Sequence, residues 1–225
     1  QERLMLLASY GDELRMIERG ERSRVPLFQA LGEVIRTHQL PVQLFHDLLS
    51  AFAQDVTKKR YANYSEVLDY SRRSANPVGR LLLALYRAAT PQHLRWSDNI
   101  CSALQIINFL QDIAIDHANG RIYMPQDELA RFGVTEDSIA SRTVNDAWHS
   151  FMTFQINRTR RLLLDGAPLG RALPGRIGLE MRMIIAGGER ILNKIAAVRH
   201  DVFRHRPVLR PWDWPLMMLR TLSLK

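Results

Sequence analysis

The chain has 225 residues, 46% hydrophobic and 24% charged, proportions of a folded globular protein that exclude a disordered chain. Its single cysteine, Cys101, excludes an internal disulfide framework and a cysteine-based zinc site, and suits a reducing compartment. The net charge of +8 and pI near 10.1 favour acidic partners such as nucleic acid, anionic lipid or phosphorylated substrates; no apolar run reaches the length of a membrane span and no signal peptide is visible.

Helical patterning dominates from the first residue. Residues 1–19 carry apolar positions at helical spacing and stop at Gly20, already in mid-pattern and without an initiating methionine, so N-terminal residues are expected to precede Gln1. Pro26 suits a first helical turn, and Pro41 separates helix 26–39 from helix 42–53. Asn63 followed by Glu66 forms a capping-box pattern opening a helix that runs to about Arg87, interrupted by "NPVG". Thr90 and Pro91 open the next helix, expected to continue to about Asp116. "HANGRIYMP" reads as a loop, followed by short helices near 125–132 and 135–140. Long helices are expected from Thr143 to Gly166 and over 175–200, and the proline-broken tail ends in a short amphipathic helix. No alternating strand pattern, repeat or linker is found, so the expectation is one all-α domain of about eight to ten helices.

The most informative stretch is "LQIINFLQDIAIDHANGRIYMP", residues 104–125. At about 100° per residue, Gln105, Asn108, Asp112 and Asp116 fall within an arc of roughly 80°, while Ile106, Ile107, Phe109, Leu110, Ile113 and Ile115 fill the rest. A polar stripe down an otherwise buried helix is thereby predicted. An unpaired buried carboxylate costs several kcal/mol, so two of them call for compensation, and a hard cation such as Mg²⁺ supplies it. A solvated helix face is the plainer explanation of the two aspartates alone. Arg121, just beyond Asp116, is either an exposed loop arginine or a two-point grip on diphosphate. Tyr123 reads as a packing residue.

In "YSRRSANPVGRLLLALY", Pro77 is expected to kink the helix, and Ser71, Ala75 and Gly79 form a small-residue stripe open to a packed helix or a hydrocarbon chain. Arg72 and Arg73 are costly inside an apolar bundle unless they face anions. Asp55 near Lys58, Lys59 and Arg60 reads as a surface charge cluster.

"QIINFLQDIAIDHANGRIYMPQDELARFGV" resembles the second aspartate-rich motif of the squalene/phytoene synthase family, with Gln105, Asn108, Asp112, Asp116, Gly120, Arg121, Tyr123 and Pro125 at the motif's spacing. "DVTKKRY", "YSRRSANPVG" and "AGGERILNKIAAVRHDVFRHRP" match in order on either side, so the likeness covers the whole chain. It implies an all-α isoprenoid-synthase bundle, a single domain over 1–225 with a central apolar cavity. The first aspartate-rich motif is expected on helices that precede Gln1. The resemblance further implies roughly two or three Mg²⁺ ions shared between diphosphate and the ligands Asp112, Asp116 and Asn108. Gln105, Asn108, Arg121, Tyr123, Arg72, Arg73, Asn76 and Gly79 would then face substrate.

Gln111, "SANPVG", Arg72, Arg73 and Gly188 depart from the common family pattern and resemble its hydroxysqualene synthase branch, of bacterial hopanoid biosynthesis. That branch implies ionisation of presqualene diphosphate with water capture. No dinucleotide fingerprint is present, so no NADPH is expected. Condensation of farnesyl diphosphate or another prenyl diphosphate is the alternative within the family. A non-catalytic partner subunit and a nucleic-acid-binding protein are the alternatives outside it. The basic residues are scattered without a recognition-helix pattern, so nucleic acid is not expected as a partner. A cytoplasmic location is expected, and the tryptophans of "PWDWPLMM" suggest transient contact with a membrane surface. Oligomeric state is not legible.

Overall fold

A computed structural model describes residues 1–223. The chain runs α1 (Glu2–Glu18), α2 (Pro26–His38), α3 (Gln43–Thr57), β1 (Arg60–Tyr61), α4 (Tyr64–Ser74), α5 (Asn76–Leu85), α6 (Pro91–Gln111) and α7 (Ile113–Ala118). It continues through β2 (Ile122–Pro125), α8 (Gln126–Arg131), α9 (Glu136–Ala140), α10 (Asp146–Gly166), α11 (Leu169–Ala172), α12 (Gly175–Ala197) and α13 (Asp213–Ser223). The all-α expectation holds, with more helices than expected because the helix over 63–87 divides into α4 and α5, the helix over 91–116 divides into α6 and α7, and α11 adds a single turn.

The caps sit where the sequence puts them. The Asn63 side chain accepts from Glu66 N at 3.1 Å, and Glu66 reaches back to Ala62 N at 2.7 Å, one residue before the position a capping box uses. Thr90 accepts from His93 N at 3.2 Å, with Pro91 in the first turn. The proline interruption at "NPVG" divides α4 from α5 at Ala75 (φ −109°), with Pro77 inside the first turn of α5. Asn145, rather than Thr143, caps α10, accepting from Trp148 N at 2.9 Å.

Two expectations change. The helix predicted over 91–116 is divided at Asp112 (φ −106°, ψ 13°) into α6 and α7. The amide bonds Asp112 N to Asn108 O (3.0 Å) and Asp116 N to Asp112 O (2.8 Å) persist across the break, so the two aspartates stay one turn apart. The loop expected at 117–125 contains a strand, β2, that pairs in parallel with β1, Arg60 opposite Ile122 and Tyr61 opposite Pro125. All four residues of β2 are buried, so no alternation announces it.

α6 is the central element, packed against α5, α10 and α12. Its residues Ile100, Ala103, Ile106, Ile107, Phe109 and Leu110 join Phe151, Met152, Leu163, Leu192 and Ile195 in one core. Small residues permit the closest approaches: a Cβ on Gly166 would lie 2.6 Å from the backbone oxygen of Trp96. β2 and α8 are fixed to α10 by buried Glu128, whose Oε2 accepts from Gln155 Nε2 (2.6 Å) and Arg158 Nη2 (2.8 Å). Because the backbone oxygen facing Gly166 cannot rotate away, Gly166→Ala is expected to destabilise the protein by about 1–3 kcal/mol. A melting temperature several degrees lower in thermal denaturation checks this.

Candidate active site

The paired strands bring the loop after α7 against the end of α3. Ile122 N bonds Lys59 O at 3.0 Å, and Arg60 donates to Gly120 O at 2.7 Å while pairing with Glu136. Arg121 and Tyr123 are thereby set beside Asp55. Tyr70 OH donates to Asp55 Oδ2 at 2.9 Å, Tyr123 OH to Asp55 Oδ1 at 3.1 Å, and Arg121 Nη1 to Tyr123 OH at 3.1 Å. Behind these groups lies an aromatic wall. Phe109 and Tyr123 stack at 3.9 Å with 7° between planes, and Tyr61 and Tyr70 close on Tyr123 at 5.4 and 5.7 Å. All four rings are buried, and burial first of all holds the Tyr61, Tyr70 and Tyr123 phenols above their usual pKa, which keeps them protonated donors.

Asp116 faces this wall. Burial, then the neighbouring Asp112 carboxylate, raises its pKa to about 6; Arg121 lowers it and Asp55 adds to the rise. Asp112 is held by Arg206 through two bonds, Nε to Oδ1 at 2.5 Å and Nη2 to Oδ2 at 3.1 Å. Arg121 is a second cation at the site, and its buried Nε has no hydrogen-bond partner. An unpaired guanidinium donor beside a carboxylate that resists ionisation is an electrostatic arrangement that an anionic ligand together with a cation would complete.

The stripe differs from its predicted setting. Asn108 is exposed, and Gln105, Asp112 and Asp116 are half-buried, so the four residues wall a cleft rather than line a closed interior. Asn108 and Gln111 also end an apolar pocket of about 340 Å³ between α6, α12 and α13, lined by Leu104, Ile107, Met183, Gly188, Trp214 and Met217 among others. The resemblance implies a central apolar cavity; this pocket is instead open at its side, where Ile184 and Trp214 are exposed. A recess of about 550 Å³ between α1 and α2 is larger, but it carries none of the predicted site residues.

Of the predicted residues, Asp112, Asp116, Arg121 and Tyr123 come together. Arg72 does not face the site's anions: it pairs at the surface with Asp69 at 2.8 Å. Arg73 is spent on Asp69 (2.7 Å), Ser50 (2.8 Å) and Gln54 (2.5 Å). Asn76 is buried and accepts from Ser102 on α6 at 2.9 Å. Gly79 abuts Ser97 and Cys101 of α6, so its small size serves the α5–α6 contact rather than a ligand. Asp55, read from sequence as part of a surface cluster, is instead the acceptor that orients Tyr70 and Tyr123. Arg206 lies in the stretch "DVFRHRP" that resembles the family, but it is not singled out there as a site residue.

The oxygen donors Asp112, Asp116 and Asn108 fit Mg²⁺ in chemical type. Among the described residues no group of three or more His, Cys, Asp and Glu gathers to hold a metal, so ligand oxygens have to complete the shell. Because the Asp116 pKa is raised, the folded protein binds this proton more tightly than the unfolded chain. Its contribution to stability is therefore full below the ordinary aspartate pKa and is lost as pH rises through about 6. In chelator, Asp116→Asn is expected to raise the melting temperature at pH 8, to raise it by roughly half as much at pH 5, and to leave it nearly unchanged only below the ordinary aspartate pKa, as differential scanning calorimetry can measure.

A profile of the squalene/phytoene synthase family matches residues 1–213. The chain is 34% identical to the hydroxysqualene synthase of Rhodopseudomonas palustris, over 94% of this chain and 71% of that protein. It is 29% identical to the phytoene synthase of Arthrospira platensis, over 88% and 70%. The crystal structure of the squalene synthase HpnC from Alicyclobacillus acidocaldarius superposes with a TM-score of 0.82 at 36% identity, covering 86% of this chain and 73% of that one. A dehydrosqualene synthase structure at 19% identity shares the fold, with a TM-score of 0.81. The chain belongs to the squalene/phytoene synthase family of enzymes and has its helical isoprenoid-synthase fold.

Proposed function

We propose that this enzyme ionises presqualene diphosphate and captures the resulting cation with water, giving hydroxysqualene and diphosphate. The observation that carries the reading is the junction of two environments at the boundary of α6 and α7: the Asp112–Asp116 stripe with Arg121, and the apolar pocket that begins at Asn108 and Gln111. A prenyl diphosphate has the same two parts. The likeness to the Rhodopseudomonas palustris hydroxysqualene synthase favours this member of the family's reactions.

Asp112, Asp116 and Asn108 would hold Mg²⁺, which when bound supplies Lewis-acid polarisation of the diphosphate oxygens. Arg121 offers its guanidinium to the leaving group. As the carbon–oxygen bond breaks, the electron pair departs with the diphosphate, and positive charge develops on the hydrocarbon. The walls of the apolar pocket limit the water that reaches the cation until rearrangement is complete. A water oxygen then bonds to carbon and its proton is lost, so the product is an alcohol and no reductant is consumed. Tyr70 and Tyr123, kept protonated, hold Asp55 in hydrogen bonds and so keep it from acting as a base toward the cation.

We also propose a cytoplasmic enzyme that touches the membrane surface transiently. No described helix is long and apolar enough to cross a membrane. α13 and the residues before it expose Trp212, Trp214, Leu216, Met218 and Leu219, with Arg210 over the Trp212 ring. Apolar side chains with adjacent cations suit an anionic bilayer surface.

Incubation with presqualene diphosphate in H₂¹⁸O is expected to yield labelled hydroxysqualene, and Asp112→Asn or Asp116→Asn to lower kcat by about a hundredfold. Consumption of farnesyl diphosphate with no turnover of presqualene diphosphate would assign the condensation reaction instead. Replacing Trp212 and Leu219 with Ala together is expected to reduce co-sedimentation with phosphatidylglycerol vesicles without altering the melting temperature.

A further inference from the structure

The apolar pocket between α6, α12 and α13 offers little that can hold a water molecule. Among the described residues its walls are hydrocarbon and thioether side chains, two glycines and the Trp214 indole, with two carboxamides, Asn108 and Gln111, at one end. An indole N–H donates and cannot accept. Asn108 is exposed, whereas Gln111 is half-buried in the last turn of α6. The Gln111 side chain is held in one orientation, because its Nε2 donates to Pro207 O at 2.7 Å. A carbonyl oxygen only accepts, so turning the amide over would set two acceptors against each other. Oε1 is thereby fixed as the other end of the amide, and it has no protein donor among the described residues.

Capture of a carbocation needs such a group. Water attacks through an oxygen lone pair, so it has to be held by its hydrogens; an acceptor does this, and a donor would tie up the attacking lone pair. A neutral carboxamide is also too weak a base to strip a proton from the cation. We propose that Gln111 is the positioning residue for the water that captures the cation, with Oε1 accepting from one of its O–H groups. With the charged end of the substrate at Asp112 and its hydrocarbon in the pocket, the carbon that loses diphosphate lies at the junction of the two, beside Gln111. One water lone pair forms the carbon–oxygen bond, and the proton that leaves the new oxonium passes to the released diphosphate. Without a held water, the cation loses a C–H proton to the diphosphate and the electrons of that bond become a double bond. Gln111 thus decides between alcohol and olefin. This rests on the reading that the enzyme ionises presqualene diphosphate.

Product analysis after incubation of the protein with presqualene diphosphate and Mg²⁺ in H₂¹⁸O tests it, comparing the unaltered chain with Gln111→Met and Gln111→Lys. Methionine keeps the length of the side chain without the amide. Lysine can still donate to Pro207 O but offers no acceptor, so it keeps the tether and removes only the partner of the water. Both variants are expected to lower the ratio of labelled alcohol to olefin by about five- to tenfold, the scale of one hydrogen bond. The ratio is taken among products formed, so a loss of stability or of turnover alone does not move it, and the lysine variant carries the comparison if the methionine variant does not fold. An unchanged ratio overturns the proposal. So does a ratio that falls with methionine and is restored by lysine, the pattern of a purely structural tether. Failure of the functional reading would look different: the unaltered protein leaves presqualene diphosphate unconsumed, and the proposal falls with it.

Discussion

Two carboxylates one helical turn apart, Asp112 and Asp116, stand against a wall of buried aromatic rings, and positive charge has to meet their repulsion. On an exposed helix such a pair costs only about 0.2–0.5 kcal/mol. Here the rings of Phe109, Tyr70 and Tyr123 withhold the water that would screen it. Arg206 neutralises one carboxylate and Arg121 leans on the other through space, which leaves Asp116 reluctant to ionise and Arg121 with a donor unspent. In the proposed reading, a diphosphate with divalent cations would supply both missing charges at once.

The rest of the fold keeps that pair in place and puts an apolar pocket beside it. α6 has to be rigid to hold the stripe, and its other faces are committed to the core. Where glycine meets α6 the neighbouring helix comes close, at Gly79 from α5 and Gly166 from α10. Gly188 does the same for α12. A Cβ there would lie 3.0–3.2 Å from Leu163, Leu104 and Ile107, so the bare glycine lets α12 pack closely on α6 and α10 beside the pocket it lines.

Much of this was legible in the chain itself, because the signals are local. Helical periodicity, the caps at Asn63 and Thr90 and the prolines give most helix boundaries to within a few residues. The stripe follows from the 3.6-residue period alone. What was illegible depends on contacts distant in sequence. Asp55 acquires its role from Tyr123, 68 residues on, and Asp112 is bound by Arg206, 94 residues on. The two-residue strand β1 and the fully buried β2 are too short and too uniform to show a period. The pairing of Arg72 and Arg73 with Asp69 had a local cue that went unused: Asp69 lies three and four residues before them, the spacing of a helical ion pair.

The most direct measurement is the titration of the Asp116 carboxyl group by carbon-detected NMR, in chelator and again with Mg²⁺ and pyrophosphate. A pKa near 6 in the free protein, falling to or below the ordinary aspartate range when both are added, is the result predicted by a site poised for divalent cations. An ordinary value in the free protein, or a raised value that neither Mg²⁺ nor pyrophosphate moves, would contradict it.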